Sequence, residues 1–302
     1  MNFLKNGIIF FFLTAIIFIA GCGSSGKSAY TTEIDNWHKK RVASLTREDN
    51  WLSLAGLFWL NEGQNRFGSD SSNDMVFPGK APGFIGSLIL EDNHVLAKIN
   101  QDVSVTAGEN PVTSMILRSD ADGDPTILTS GPLSWYIIKR GDRYGVRLRD
   151  REHPNLKHFK GVNRYTVKES WRVPAKLEPY NPPKTIAVPT VLGTVDSSFS
   201  PGALVFEIDG ETFRLDPIAD PGAEKYFLIF ADDTNGDETY GAGRFLYVDR
   251  PGADGITYID FNKSYNPPCA FTEFATCPLP PFQNRLPVKV TAGEKNYKSG
   301  IH

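Results

Sequence analysis

Residues 260–281, DFNKSYNPPCAFTEFATCPLPP, constrain this chain more than any other stretch, because they gather five prolines and two of its three cysteines. Proline fixes φ and lacks a backbone donor, so neither a helix interior nor a central strand accepts this density. The carbonyls of such a segment have no regular partners, and side-chain donors must reach them from elsewhere. Its polar members Asp260, Asn262 and Asn266 therefore admit two readings, as supports of the loop's own backbone or as parts of a site.

The N-terminus carries a different signal. Lys5 precedes an unbroken apolar run over residues 7–20, GIIFFFLTAIIFIA, which is short for a bilayer span and fits a signal-peptide core. It ends in Ile19-Ala20-Gly21-Cys22, which resembles a bacterial lipobox whose cysteine receives lipid. The expected organisation is a signal peptide at 1–21, a lipidated Cys22, a flexible tether at 22–32 and one β-rich domain at 33–298. Acyl chains on Cys22 would hold the mature chain on the cell-envelope membrane without a spanning helix, an uncleaved anchor being the alternative. The lack of Asp at position 23 resembles outer-membrane sorting, which would place the protein on the periplasmic face of a double-membraned cell. Removing Lys5 takes the formal net charge from −3 to −4. An acidic chain is a poor partner for a phosphate backbone, so no nucleic acid is expected.

The remaining cysteines, Cys269 and Cys277, would stand in a compartment that permits disulfides. A bridge closing so short a loop would stabilise the fold by about 2.5 kcal/mol, and two buried thiols are the alternative.

At 40% hydrophobic and 22% charged, the chain can build a core. Residues 32–49 have helical apolar spacing, with Thr32 as the expected N-cap. Residues 51–60, WLSLAGLFWL, read as a buried strand or a helix end. Beyond them the pattern is β. Hairpins are expected around 91–93 and 140–143, a tight turn at Asp209-Gly210, and a long hairpin over 226–248 turning at Asn235-Gly236. Separate strands are expected near 170–177 and 186–192, and the prolines at 179–183 mark a possible internal seam. Short strands at this spacing predict a mainly β fold: an antiparallel sandwich or barrel-like domain with an N-terminal helix and a proline-rich C-terminal loop.

Motifs that carry chemistry are sparse. The oxygen ladder Asp233-Thr234-Asn235-Gly236-Asp237 lacks the sixth-position Gly and twelfth-position Glu of an EF-hand loop. No histidine or cysteine spacing suits zinc, and neither a Gly-x-Ser-x-Gly elbow nor a Gly-x-Gly-x-x-Gly turn is present. No metal and no cofactor is therefore expected. What stands out is a constellation: Arg244 on the return arm of the long hairpin, then Asp260, Asn262, Tyr265, Asn266, Asn284 and Glu294. An arginine fork beside amides and carboxylates can hold an anionic or sugar-like ligand bidentately. The same residues equally suit an internal network in which Arg244 pairs with Asp260. Three functions follow: a small-molecule or glycan-binding module, a cofactor-free hydrolase using Asp260 or Glu294 as acid/base, or a structural envelope lipoprotein without ligand.

The runs WLSLAGLFWLNEG, FADDTNGDETYGAGRFLYV and DFNKSYNPPCAFTEFATCPLPP continuing through QNRLPVKVTAGEK together resemble the bacterial family called domain of unknown function 1684. The resemblance spans about residues 35–298, implies one continuous unit, and places Arg244, Asp260, Asn262, Asn266, Cys269, Cys277 and Asn284 within the defining motif. It implies no activity.

Overall fold

The structure, a computed structural model, describes residues 27–219 and 222–297; the signal-like segment and Cys22 lie outside them. The first element is the helix Ala29–Leu45. It starts earlier than Thr32 because Ser28 is the cap: the Ser28 hydroxyl accepts the Thr31 N–H at 3.0 Å. The Thr32 hydroxyl instead donates back to the Ser28 carbonyl at 3.1 Å. Residues 29–32, expected in the tether, are thus helical.

The architecture is mainly antiparallel β, in two units that each bury one core between two sheets. In the first unit a five-stranded sheet, which includes Gly63–Gly68, Gly86–Glu91 and His94–Ile99, packs on a six-stranded sheet. The latter includes Leu54–Trp59 and the hairpin Leu133–Arg140/Arg143–Asp150. Phe67 and Leu88 from one sheet meet Trp135 and Leu148 from the other. The turn at Asp92-Asn93 has positive φ at both residues, which accounts for the tight 86–99 hairpin.

In the second unit, a four-stranded sheet runs Glu211–Leu215, Val195–Ile208, Arg172–Pro189, Ile256–Asp260. A three-stranded sheet runs Arg244–Asp249, Lys225–Asp232, Arg285–Leu286. Phe261 lies at the centre of the core between them, with ring contacts to Phe206 at 5.8 Å and Phe230 at 5.5 Å. Asp209-Gly210 makes the expected tight turn.

Two expectations are corrected here. The prolines at 179–183 do not separate elements: they sit inside the strand Arg172–Pro189, and both halves of that strand pair with Val195–Ile208 across a register shift. Pairing on both flanks absorbs the missing donors as a bulge. Likewise, Asn235-Gly236 is not a two-residue turn, because the arms end at Asp232 and restart at Arg244. The Asn235 side chain braces this longer loop, accepting the Asp232 N–H at 2.7 Å and donating to the Tyr240 carbonyl at 3.0 Å.

The proline-rich stretch lies where the two units meet. Cys269 and Cys277 are disulfide-bonded, with their Cα atoms 6.2 Å apart. Between them, the Thr276 hydroxyl accepts from Arg140 at 3.1 Å and Arg147 at 3.2 Å, both from the first unit.

Candidate functional site

Arg244 begins its strand directly after Gly243, whose φ of +91° and close approach to the Phe230 carbonyl leave no room for a Cβ. This geometry turns the arginine inward. Its guanidinium is fully buried; it donates to Asp232 Oδ2 at 2.6 Å, to the Val290 carbonyl at 3.0 Å and to the Ala292 carbonyl. Asp232 Oδ1 in turn accepts from the Thr234 N–H and hydroxyl and from the Val290 N–H. The ion pair is therefore Arg244–Asp232, not Arg244–Asp260, and it closes a network that presents no fork to a ligand. Asp232 was missed because an Asp at the end of a strand before a polar loop reads as a solvated turn residue.

Most of the other expected residues also face the backbone. Asn284 grips the 216 position from both sides, accepting the Asp216 N–H at 2.8 Å and donating to the Asp216 carbonyl at 2.9 Å and the Ile229 carbonyl at 3.0 Å. Asn262 accepts the Lys168 N–H at 3.1 Å and donates to the Lys168 carbonyl at 2.9 Å. Asn266 donates its amide to the Lys295 carbonyl, while Glu294 accepts the Asn266 N–H at 2.7 Å. Arg41 of the helix completes this clamp, pairing with Glu294 at 3.4 Å and donating to the Asn266 carbonyl at 3.0 Å. Burial pushes the Glu294 carboxyl up, with Arg41 opposing the shift. Gly293, at φ +78°, lets this segment press against the Ser264 and Phe261 carbonyls. Sequence reading missed Arg41, since an arginine on an amphipathic helix ordinarily reads as solvated.

Two of the expected residues, Asp260 and Tyr265, line an open groove of about 420 Å³. It runs between the exposed edges of the two sheets of the second unit, Arg244–Asp249 and Ile256–Asp260, with Glu33 and Trp37 of the helix on one side. Alternation decides its floor. In Leu246-Tyr247-Val248-Asp249 and again in Thr257-Tyr258-Ile259-Asp260, Leu246, Val248 and Ile259 face the core, Thr257 shares their phase, and the tyrosines face out. Tyr247 is 55% and Tyr258 47% exposed, unusual for aromatics packed beside a core. Tyr247 has Phe227 as a ring neighbour at 5.0 Å and a near-parallel Tyr265 at 6.3 Å, and the Arg41 guanidinium lies over the Tyr265 ring at 4.7 Å. The Thr257 hydroxyl ties the two edges by donating to the Asp249 carbonyl at 2.8 Å.

The charges of the groove are mostly paired. Lys225 meets Asp249 at 2.8 Å, and Lys263 meets Glu33 at 2.7 Å and Asp260 at 3.7 Å. Lys263 holds the Glu33 carboxyl below its ordinary range. Asp260 Oδ1 accepts the Tyr30 hydroxyl at 2.8 Å, and burial with this carboxylate pushes the Tyr30 phenol up. The matched tetrapeptides, each a tyrosine two residues before an aspartate on an outward strand phase, are the signal that could have found Tyr247 and Tyr258.

Taken together, these features define a two-unit β protein with an aromatic, mixed-charge groove at a sheet edge. Residues 157–295 match the family described as "Protein of unknown function (DUF1684)". That match supports the family over the second β unit and the proline-rich stretch, and it leaves residues 35–156 outside. No curated protein matches the chain. Among solved structures, the chain is similar to the solution NMR structure of an uncharacterized protein of Haloarcula marismortui, with 29% identity over 48% of this chain and 80% of that one, at a TM-score of 0.40. It also matches a chain in the crystal structure of the FhaA FHA domain complexed with the intracellular domain of Rv3910, with 17% identity over 31% of this chain and 97% of that one, at a TM-score of 0.21.

Proposed function

We propose that this protein is a lipid-anchored envelope binding module, tethered through Cys22, whose groove takes a small polar molecule of saccharide type. The observation that carries the reading is the pair of outward tyrosines, Tyr247 and Tyr258, on the floor of a groove rimmed by charged side chains. Aromatic faces stack on the apolar faces of sugar rings, while paired lysines and carboxylates offer donors and acceptors to hydroxyls. The roles first expected of Arg244, Asn262, Asn266, Asn284 and Glu294 pass to the groove residues, with Asp260 and Tyr265 kept.

The test is titration of the mature chain with neutral and acidic saccharides, read by Trp37 fluorescence and by heat. Binding that disappears in Tyr247→Ala with an unchanged Tm supports the reading; no heat and no fluorescence change with any saccharide sinks it. Cys22→Ala is expected to release the protein from membranes, and a membrane-bound variant would remove the lipid anchor.

Asp260 keeps the hydrolase alternative open, as the buried carboxylate of the groove. Turnover of a glycoside or ester panel that is lost in Asp260→Asn would favour it.

A further inference from the structure

The groove's cations are not equivalent. Lys225 and Lys263 are each neutralised by a carboxylate, and Arg250 lies against the Tyr226 ring. Arg172 differs: it is exposed, its guanidinium lies 4.0 Å from the centre of the Tyr258 ring, and among the described residues no carboxylate lies within ion-pair distance of it. The register explains this placement. Arg172 stands opposite Asp260 and Pro174 opposite Tyr258, so Arg172 and Tyr258 are diagonal neighbours on one face of the sheet. A guanidinium centred over a ring is held through its carbon and keeps N–H donors along its rim. A fork held in one orientation by an aromatic ring suits bidentate capture of a planar or tetrahedral oxyanion.

We propose that the saccharide of the groove bears an anionic oxyacid group, carboxylate or phosphate, which the edge of Arg172 binds while a sugar ring lies on Tyr247. This rests on the binding reading above and specifies its ligand class. A neutral sugar would use the tyrosine and leave the fork unused.

The experiment compares trigalacturonate with its methyl ester, and glucose 6-phosphate with glucose, by calorimetry on the mature chain at low and high salt. Trigalacturonate is expected to bind at least tenfold more tightly than its ester, with the preference shrinking at high salt. Arg172→Ala is expected to bring acid and ester to the same affinity, and Arg172→Lys to restore only part of the gap, both at wild-type Tm. A preference confined to glucose 6-phosphate assigns the fork to phosphate and supports the proposal. Equal binding of acid and ester, and of the phosphate and glucose, overturns the proposal while leaving the saccharide reading standing. A preference that survives Arg172→Ala also overturns it, and no binding by any of the four sugars overturns both.

Discussion

Arg244 and Arg172 lie on strands of the two different sheets of the same β unit, and the structure uses them in opposite ways. Arg244 is enclosed with Asp232 and two backbone carbonyls, so its terminal N–H groups are taken up by the protein. Arg172 is exposed on an aromatic ring and keeps its edge to solvent. Residue type is identical; burial and local partners decide which becomes structural and which available. A buried charge persists only when matched, whereas an exposed one stacked on a ring costs little and remains selective.

The comparison predicts a graded set of outcomes. Arg244→Ala removes one half of a buried pair and strands Asp232, so chemical denaturation is expected to show a loss of about 3–5 kcal/mol. A stable variant would mean that the network is not closed. Asn284→Ala leaves an N–H and two carbonyls unpaired in the interior, with an expected loss of about 1–3 kcal/mol and no change in ligand affinity.

Glu294 adds a pH test of the same enclosed region. Its folded pKa is raised by burial, so in the window above its unfolded value of about 4.3 the native state holds the proton that the unfolded chain has already lost. Its contribution is present below that value and lost as pH rises through the folded pKa. Glu294→Gln should therefore gain stability relative to wild type across this window; parallel stability curves would show that Glu294 does not titrate there. The smallest effect belongs to the groove. Tyr247→Ala, at an exposed position, should change stability by no more than about 0.5 kcal/mol, and a loss above 2 kcal/mol would reveal the tyrosine as a packing residue instead.

Much of the fold was legible because its signals are local. Positive-φ turns at Asp92-Asn93 and Asp209-Gly210 and the alternation in 143–150 mark hairpins within a few residues. The Ser28 cap was less so, since Ser28, Thr31 and Thr32 all offer hydroxyls and only the chain's path selects one. The candidate site was legible only in part. Composition drew attention to Asn262, Asn266 and Asn284, and the structure gives them backbone carbonyls and N–H groups as partners, as a proline-rich segment requires. Tyr247, Tyr258 and Arg172 carry no motif. Arg172 and Tyr258 are adjacent because their strands pair, and Tyr247 joins them because an edge strand of the other sheet runs alongside.

The sequence by itself thus determined that residues 260–281 could form no long helix or central strand and would need donors from elsewhere, because proline's missing N–H and fixed φ are properties of each residue alone. Only the tertiary structure decided that Arg244 answers Asp232 rather than Asp260, that Arg41 and Glu294 supply the loop's clamp, and that Arg172 meets Tyr258. Those choices depend on which strands pair and which edges stay open, and they join residues up to 253 positions apart in the chain.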